Sequence, residues 1–552
     1  MKKISIFLSI VLLAACSLDE HPYNVSSEEL AGSKDGAEQL VTGIYSTLWS
    51  SYMMKKTYME WLDMDHDHAC AQSWVMSGAG EGNVTTHWGY NNSSDLWNAF
   101  YLVVSRANKA IEALADNADI ENDKRFGQLY GEALFMRAWA YFHLVRMYGP
   151  LPLRLAFVQE NDMARSSVKE VFEQIVRDLE KAISYMSYRS EGNVGEWGHA
   201  DKTAAQFLLA KALCTMGSAS RGANGAQMTV TVKGTDKTYT ADTEALAGYR
   251  EIDAEACYRY AKEVCDEIIA RRGIDFDLLP EFCDVWGTVN ARNKEFIWGV
   301  ASSPNKDHQT EHLAVYYSSV PWGGNIWVFM TEGLYNQYEE QDDRIVYGVF
   351  HYWASSYANV FSYGWCQYPN DSQYNWDAMP DHYKAFSGKW YGRFDKATPG
   401  VAKYYNGDLR NLEPRSALDG QIQQDIPQMR FAEVYLLKAE AEVELGNIDA
   451  GVEAMNEVRR RAKASDYPKT LSQLEARSLV LKERSLELVA EFNRKFDLLR
   501  WGLYLDVMND TQSVTGYGYV NSKVRERRNL LYAVPTAEVT ENKLFGPNNP
   551  GW

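Results

Sequence analysis

Apolar residues along most of the chain step in threes and fours, and that period predicts helices. From Ser26 to about Tyr52 the pattern is helical, with Ser26 or Ser27 placed as N-cap and Glu29 following. Further helical stretches run at about 95–115, 125–148, 167–187, 201–217 and 253–272. Gly149-Pro150 stops the second of these, because proline cannot continue the ladder. Three stripes recur toward the C-terminus: Ala432, Leu436, Ala439 and Val443; then Ile448, Val452, Met455, Val458 and Ala462; then Leu481, Leu488, Phe492, Phe496 and Leu499. Gly446-Asn447 marks a turn between the first two. Antiparallel helix pairs joined this way resemble tetratricopeptide units, which stack because one pair cannot bury its own apolar face. No strict repeat length is visible, so the units are degenerate. The expected fold is mostly α: a helical scaffold of tetratricopeptide-like repeats with a large irregular loop-rich region and minor β.

The period fails in three places. Residues 63–95 are rich in Gly, Asn, Ser and Thr and read as a long loop, the kind that carries function in a compact domain. Residues 220–245 look like a polar insertion, folded as a hairpin. From about 280 to 410 the helical period is lost among Trp, Tyr, Gly, Asn and Asp. Eight of the 17 Trp lie between 286 and 390, which makes this stretch a candidate ligand surface.

The N-terminus reads as an address. Met-Lys-Lys precedes a short apolar run that ends in Leu13-Ala14-Ala15-Cys16, a secretory signal with a lipobox-like site. Residues 1–15 are therefore expected to be a signal peptide. Cys16 is the expected lipidation site, since acyl chains bury CH2 groups in a bilayer. Charge narrows the partners. The net charge of −18 argues against nucleic acid, whose phosphates require a basic face. The six cysteines after Cys16 form no C-x-x-C pair and read as buried apolar residues, with one or two disulfides as the alternative.

Several stretches resemble the SusD/RagB family of Bacteroidetes outer-membrane lipoproteins. They are DIPQMRFAEVYLLKAEAEVELGN (425–447), VRRRA (458–462), ERSLELVAEFNRKFDLLRWG (483–502) and LYAVPTAEVTENKLFGPNNPGW (531–552). LWNAFYLVVSRANKAIE, GEALFMRAWAYFHLVRMYGPLPL and GHADKTAAQFLLAKALCTMGS in the N-terminal half fit as well. Ser17-Leu18-Asp19-Glu20 resembles the surface-export signal of Bacteroidetes lipoproteins. The resemblance implies an N-terminal helical region at 16–275 and a C-terminal region at 276–552, the latter holding aromatic-rich ligand loops (276–410) and closing helices. It implies glycan capture outside the cell for a SusC-like TonB-dependent barrel, no catalysis and no cofactor. A minority of the family binds peptides, which remains an alternative. A surface glycoside hydrolase is a weaker one: the resemblance argues against it and no enzyme motif such as G-x-S-x-G, H-E-x-x-H or a P-loop is present, yet 74 acidic residues leave room for a carboxylate pair at glycosidase separation.

A sugar ring presents one C–H face to a flat aromatic side chain and hydroxyls to polar groups at its rim. That chemistry nominates Trp74, Trp88, Tyr90, Asn91 and Asn92 on the first loop. On the second it nominates Trp322, Asn325, Trp327, Trp353 and Trp365, with Tyr316, Tyr317, Tyr363 and Trp376 beside them. Trp322-Gly323-Gly324-Asn325 is the best local candidate, since glycines let the backbone approach a ligand. Trp97 opens a helix and reads as structural. Asp63, Asp65, His66, Asp67 and His68 offer cation-ligand chemistry, but their alternation fixes no coordination geometry, so they read as a polar loop flank and no metal is expected. Glu483, Arg484, Glu487, Glu491, Arg494, Asp497 and Arg500 alternate in sign at helical spacing and read as an ion network bracing the stack.

Overall fold

The helices stack in chain order. The computed structural model describes residues 26–50, 53, 58, 62–71, 92–158, 160–302, 316–317, 328–350, 352–354, 365–367, 399–405, 407–410, 425–516 and 519–552. After the short α1 (Ser27–Ala31) and α2 (Lys34–Tyr45), the long helices are α3 (Asn92–Asn117), α4 (Lys124–Tyr148), α5 (Val168–Tyr185), α6 (Lys202–Ala223) and α7 (Ala254–Ala270). Each packs on the next. The stack continues with α8 (Phe431–Glu444), which docks on α7 and carries α9 (Ile448–Arg461) and α10 (Gln473–Glu487). The C-terminal helices thus extend the N-terminal stack rather than forming a separate body, because all of them bury the apolar stripes read from the sequence.

Caps set the helix starts. Ser26 accepts from the Glu29 amide. Asp123, Asp201 and Asp253 cap α4, α6 and α7. Ser167 with Glu170, and Ser472 with Glu475, close reciprocal capping boxes on α5 and α10. Each cap contributes about 1 kcal/mol. Gly149, at φ 71°, ends α4 as expected. The polar insertion is a hairpin, Gln227–Val232 against Thr235–Thr240, turning through Lys233 and Gly234, both at positive φ. Its Met228, Val230 and Tyr239 pack with Leu481, Leu498 and Trp501.

The terminal Asn-Pro-Gly-Trp is structural. Asn549 Nδ2 donates to the carbonyls of Tyr148 and Tyr532, and Trp552 Nε1 donates to those of Arg528 and Leu531. Trp97 is buried against Tyr101, Tyr148 and Phe545, as its helix-opening position implied. Cys70, Cys214, Cys257, Cys265 and Cys283 are buried free thiols.

One apolar stripe is not one helix. α10 stops at Glu487 and α11 (Arg494–Arg500) begins after a turn. Leu488, Phe492 and Phe496 remain buried, so the apolar spacing persists across the break. The helix fails because residues from distant segments capture the turn's backbone, as described below.

Candidate functional site

Ten positions were nominated for ligand contact. Trp74, Trp88, Tyr90, Asn91, Trp322, Asn325 and Trp327 lie outside the described residues, as do Tyr363 and Trp376. Asn92 is the first residue of α3. Trp353 and Trp365 lie on paired strands, Tyr352–Ala354 and Trp365–Gln367, where Trp353 is opposite Cys366 and Trp365 opposite Ala354.

The segments that flank these positions are described, and they converge. Ala69–Ala71 pairs antiparallel with Val328–Met330, with Ala71 opposite Val328. The stretch that follows Ala71 and the one that precedes Val328 therefore share a root. Met330 donates its amide to the Pro399 carbonyl at 3.1 Å. Gly400–Val401 then pairs with Val349–Phe350, which leads into the Trp353 strand. Three aromatic-rich stretches, far apart in the sequence, thus leave the scaffold from one patch of short strands. Asn521 pins the first strand. Its side-chain oxygen accepts from Cys70 Sγ and the Ala71 amide, and its nitrogen donates to the Ala71 carbonyl.

Asp63 to His68, expected as a polar loop flank, lie inside the protein rather than at its surface. All five candidate ligands in this run are buried. Asp65 accepts from Lys495 Nζ at 2.7 Å, Arg525 Nε at 2.9 Å and the Tyr504 hydroxyl at 2.6 Å. Burial raises its carboxyl pKa, but Arg525 and Lys495 hold it well below the usual range. Asp67 takes Arg494 in a two-pronged pair at 2.9 and 2.7 Å, with the same outcome. His68 Nε2 lies 3.2 Å from Asp67, and burial pushes its imidazole down to about 3. These carboxylates neutralise buried cations. Among the described residues no group of three or more His, Cys, Asp or Glu could hold a metal ion.

Tyr316 and Tyr317 are also corrected. Both are buried, and Tyr317 donates its hydroxyl to Asp63 instead of presenting a ring outward. The alternating charges at 483–500 form the expected brace, completed by residues the helical spacing did not reveal. Arg430 donates to Glu295 and Glu487, both at 2.6 Å, and to Glu491 at 2.8 Å. Arg461 also bridges Glu295 and Glu487, and Arg344 bridges Asp342, Glu483 and Glu487. Burial pushes the Glu487 carboxyl up, yet Arg461, Arg430, Arg344 and Lys403 together hold it far below its ordinary value.

With this architecture in view, two family models account for most of the chain. The one described as the SusD family matches residues 286–552. The one described as starch-binding associating with outer membrane matches residues 17–213. The chain belongs to the SusD family. A SusD-like protein from Formosa agariphila is 23% identical across 100% of this chain and 99% of its own length. Another, from Bacteroides ovatus, is 24% identical over 91% of this chain and 83% of its own. The solved structure of a SusD homolog from Bacteroides thetaiotaomicron superposes with a TM-score of 0.70 at 18% identity, covering 95% of this chain and 98% of that one. At that identity the likeness is one of fold. The family associates with the outer membrane. Among the described residues no helix is long and apolar enough to cross a membrane.

Proposed function

We propose that this chain binds a neutral polysaccharide or oligosaccharide at the cell surface and passes it to a SusC-like TonB-dependent barrel. In this reading residues 1–15 are a signal peptide. Cys16 carries the lipid that holds the protein on the outer face of the outer membrane. Residues 16–275 form the N-terminal helical region, and 276–410 supply most of the ligand loops. Trp74, Trp88, Tyr90, Asn91, Asn92, Trp322, Asn325, Trp327, Trp353 and Trp365 are the proposed contacts.

The observation that carries this reading is the common root of the aromatic stretches. Ala71 is opposite Val328, and Met330 bonds the segment that leads to Gly400–Val401. Trp327 directly precedes Val328, and Trp74 is the third residue after Ala71. A residue spans at most about 3.6 Å of extended chain, so connectivity alone keeps these two indoles within reach of one oligosaccharide. The family description, starch-binding, supports a glycan over other ligands. Desolvating sugar hydroxyls offsets much of the stacking energy, so single-site affinities fall in the micromolar to millimolar range.

Calorimetric titration of the purified protein with oligosaccharides from neutral plant and storage polysaccharides tests the reading. Heat of binding from at least one series is expected, and free sugars should not accumulate. Released reducing sugar would instead indicate hydrolysis.

A further inference from the structure

Segments far apart in the sequence converge on one short turn. The Glu487–Asn493 turn between α10 and α11 holds Ala490 at φ 61° and Phe492 at φ 63°. L-residues with side chains rarely adopt this region, so the surroundings must hold them there. Lys403 Nζ donates to the Glu487 carbonyl at 2.8 Å, the Val489 carbonyl at 3.0 Å and Glu491 Oε1 at 2.6 Å. The Tyr404 hydroxyl donates to the Ala490 carbonyl at 2.6 Å. Arg430 grips both carboxylates of the turn. The Phe492 amide donates to Asp63 Oδ1 at 3.1 Å, while the other oxygen of Asp63 accepts from the Tyr317 hydroxyl. The Tyr317 and Tyr404 rings lie 5.3 Å apart.

The partners share a placement. Asp63 lies just before the Ala69–Ala71 strand, Tyr317 just before the stretch that ends at Val328, and Lys403 and Tyr404 just after Gly400–Val401. Asp63, Lys403 and Tyr404, which bond the turn, and Tyr317, which reaches it through Asp63, each stand beside one aromatic-rich stretch. No ligand contact is needed for this role, and all four side chains are buried.

We propose that the Glu487–Asn493 turn is a shared anchor that fixes the three loop roots relative to one another. Asp63, Tyr317, Lys403 and Tyr404 are then positioning residues for the ligand face. That this face takes a ligand rests on the proposed function, whereas the anchor is measurable without any ligand. Asp63 bridges two segments through two different oxygens, so a shift of the turn reaches the first two roots together. Lys403 and Tyr404 carry the same shift to the third. The competing account is that the strands alone hold the roots, through the Ala71–Val328 ladder and the Met330–Pro399 bond.

Hydrogen exchange on the full chain separates the two. Tyr317→Phe and Tyr404→Phe each delete one hydroxyl without changing ring shape. Asn521→Ala loosens the first strand without touching the turn. With a shared anchor, Tyr404→Phe speeds exchange at least tenfold at residues 69–71 and at Phe492. Tyr317→Phe does the same at Ala402, whose amide bonds the Gly348 carbonyl. The double variant shows less than the product of the two effects, the mark of sites acting through one element. Asn521→Ala speeds exchange at 69–71 only. The proposal is overturned if each Tyr→Phe change stays within its own segment, if the two effects multiply, or if Asn521→Ala opens all three roots. Should Tyr404→Phe not fold, the Tyr317→Phe effect at Ala402 decides alone. A protein that passes this test but binds no glycan keeps the anchor and loses the proposed function. The reverse pattern keeps the function and loses the anchor.

Discussion

Ala71 faces Val328 across the last rung of an antiparallel ladder, so the stretch holding Trp74 and the one holding Trp327 grow from a single root. If both indoles stack on one glycan, their removal should not be independent. Trp74→Ala and Trp327→Ala should each weaken binding by about 1 kcal/mol, roughly fivefold in Kd. The double variant should depart from the sum of the two, as neighbouring sites do. Thermal midpoints should stay at the wild-type value. Calorimetry and thermal melts on the four proteins provide both readouts.

The buried ion network makes a prediction of opposite kind. Arg430→Met removes a cation shared by Glu295, Glu487 and Glu491 and leaves those carboxylates buried. Breaking a buried pair on one side costs about 3–5 kcal/mol. Denaturant unfolding should show that loss. A change near zero would mean that the remaining cations, Arg461, Arg344 and Lys403, neutralise the site unaided.

Acid should undo the Asp63–His68 region in two stages. His68, pushed down to about 3 by burial, is neutral in the folded protein, while the unfolded chain takes up its proton below about pH 6.5. Stability from this group is therefore lost as the pH falls from 6.5 toward 3. Asp65, Asp67 and Glu487 have folded values below their unfolded ones. Their stabilisation is present above about pH 4 and drains away below it. Thermal midpoints measured from pH 7 to pH 3 should fall throughout, and His68→Gln should flatten the upper part of the curve.

Asp201 runs the other way. Burial raises its carboxyl to about 6, so the fold favours the protonated form. Its contribution is intact below the unfolded value near 4 and is lost as the pH rises through 6. One oxygen caps α6 by accepting from the Ala204 amide, which asparagine also does. Asp201→Asn should therefore raise stability at pH 8 by roughly 3 kcal/mol, since each tenfold change in proton affinity is worth about 1.4 kcal/mol. The gain should shrink toward pH 4. Equal melts at pH 8 would contradict this.

Local pattern was a good guide wherever the cause of structure was local. The stripes at 432–443 and 448–462 became α8 and α9 because their apolar faces meet each other and α7. The break at Leu488–Asn493 carried no local sign, since Leu488, Phe492 and Phe496 keep helical spacing. The partners that bend the chain there come from residues 63, 403 and 404. Asp63 to His68 look like loop residues until Arg494, Lys495 and Arg525 are brought against them. Tyr316 and Tyr317 show the limit of composition. Aromatic residues suit a core as well as a sugar face, and only burial separates the two.

Affinity electrophoresis tests the central claim most directly: wild type beside a Trp88→Ala/Trp322→Ala variant, in native gels cast with each of several neutral polysaccharides. The wild-type protein should be retarded by at least one of them, and the folded variant should migrate closer to its position in a blank gel. Wild-type migration unchanged in every gel would contradict a sugar-gripping face.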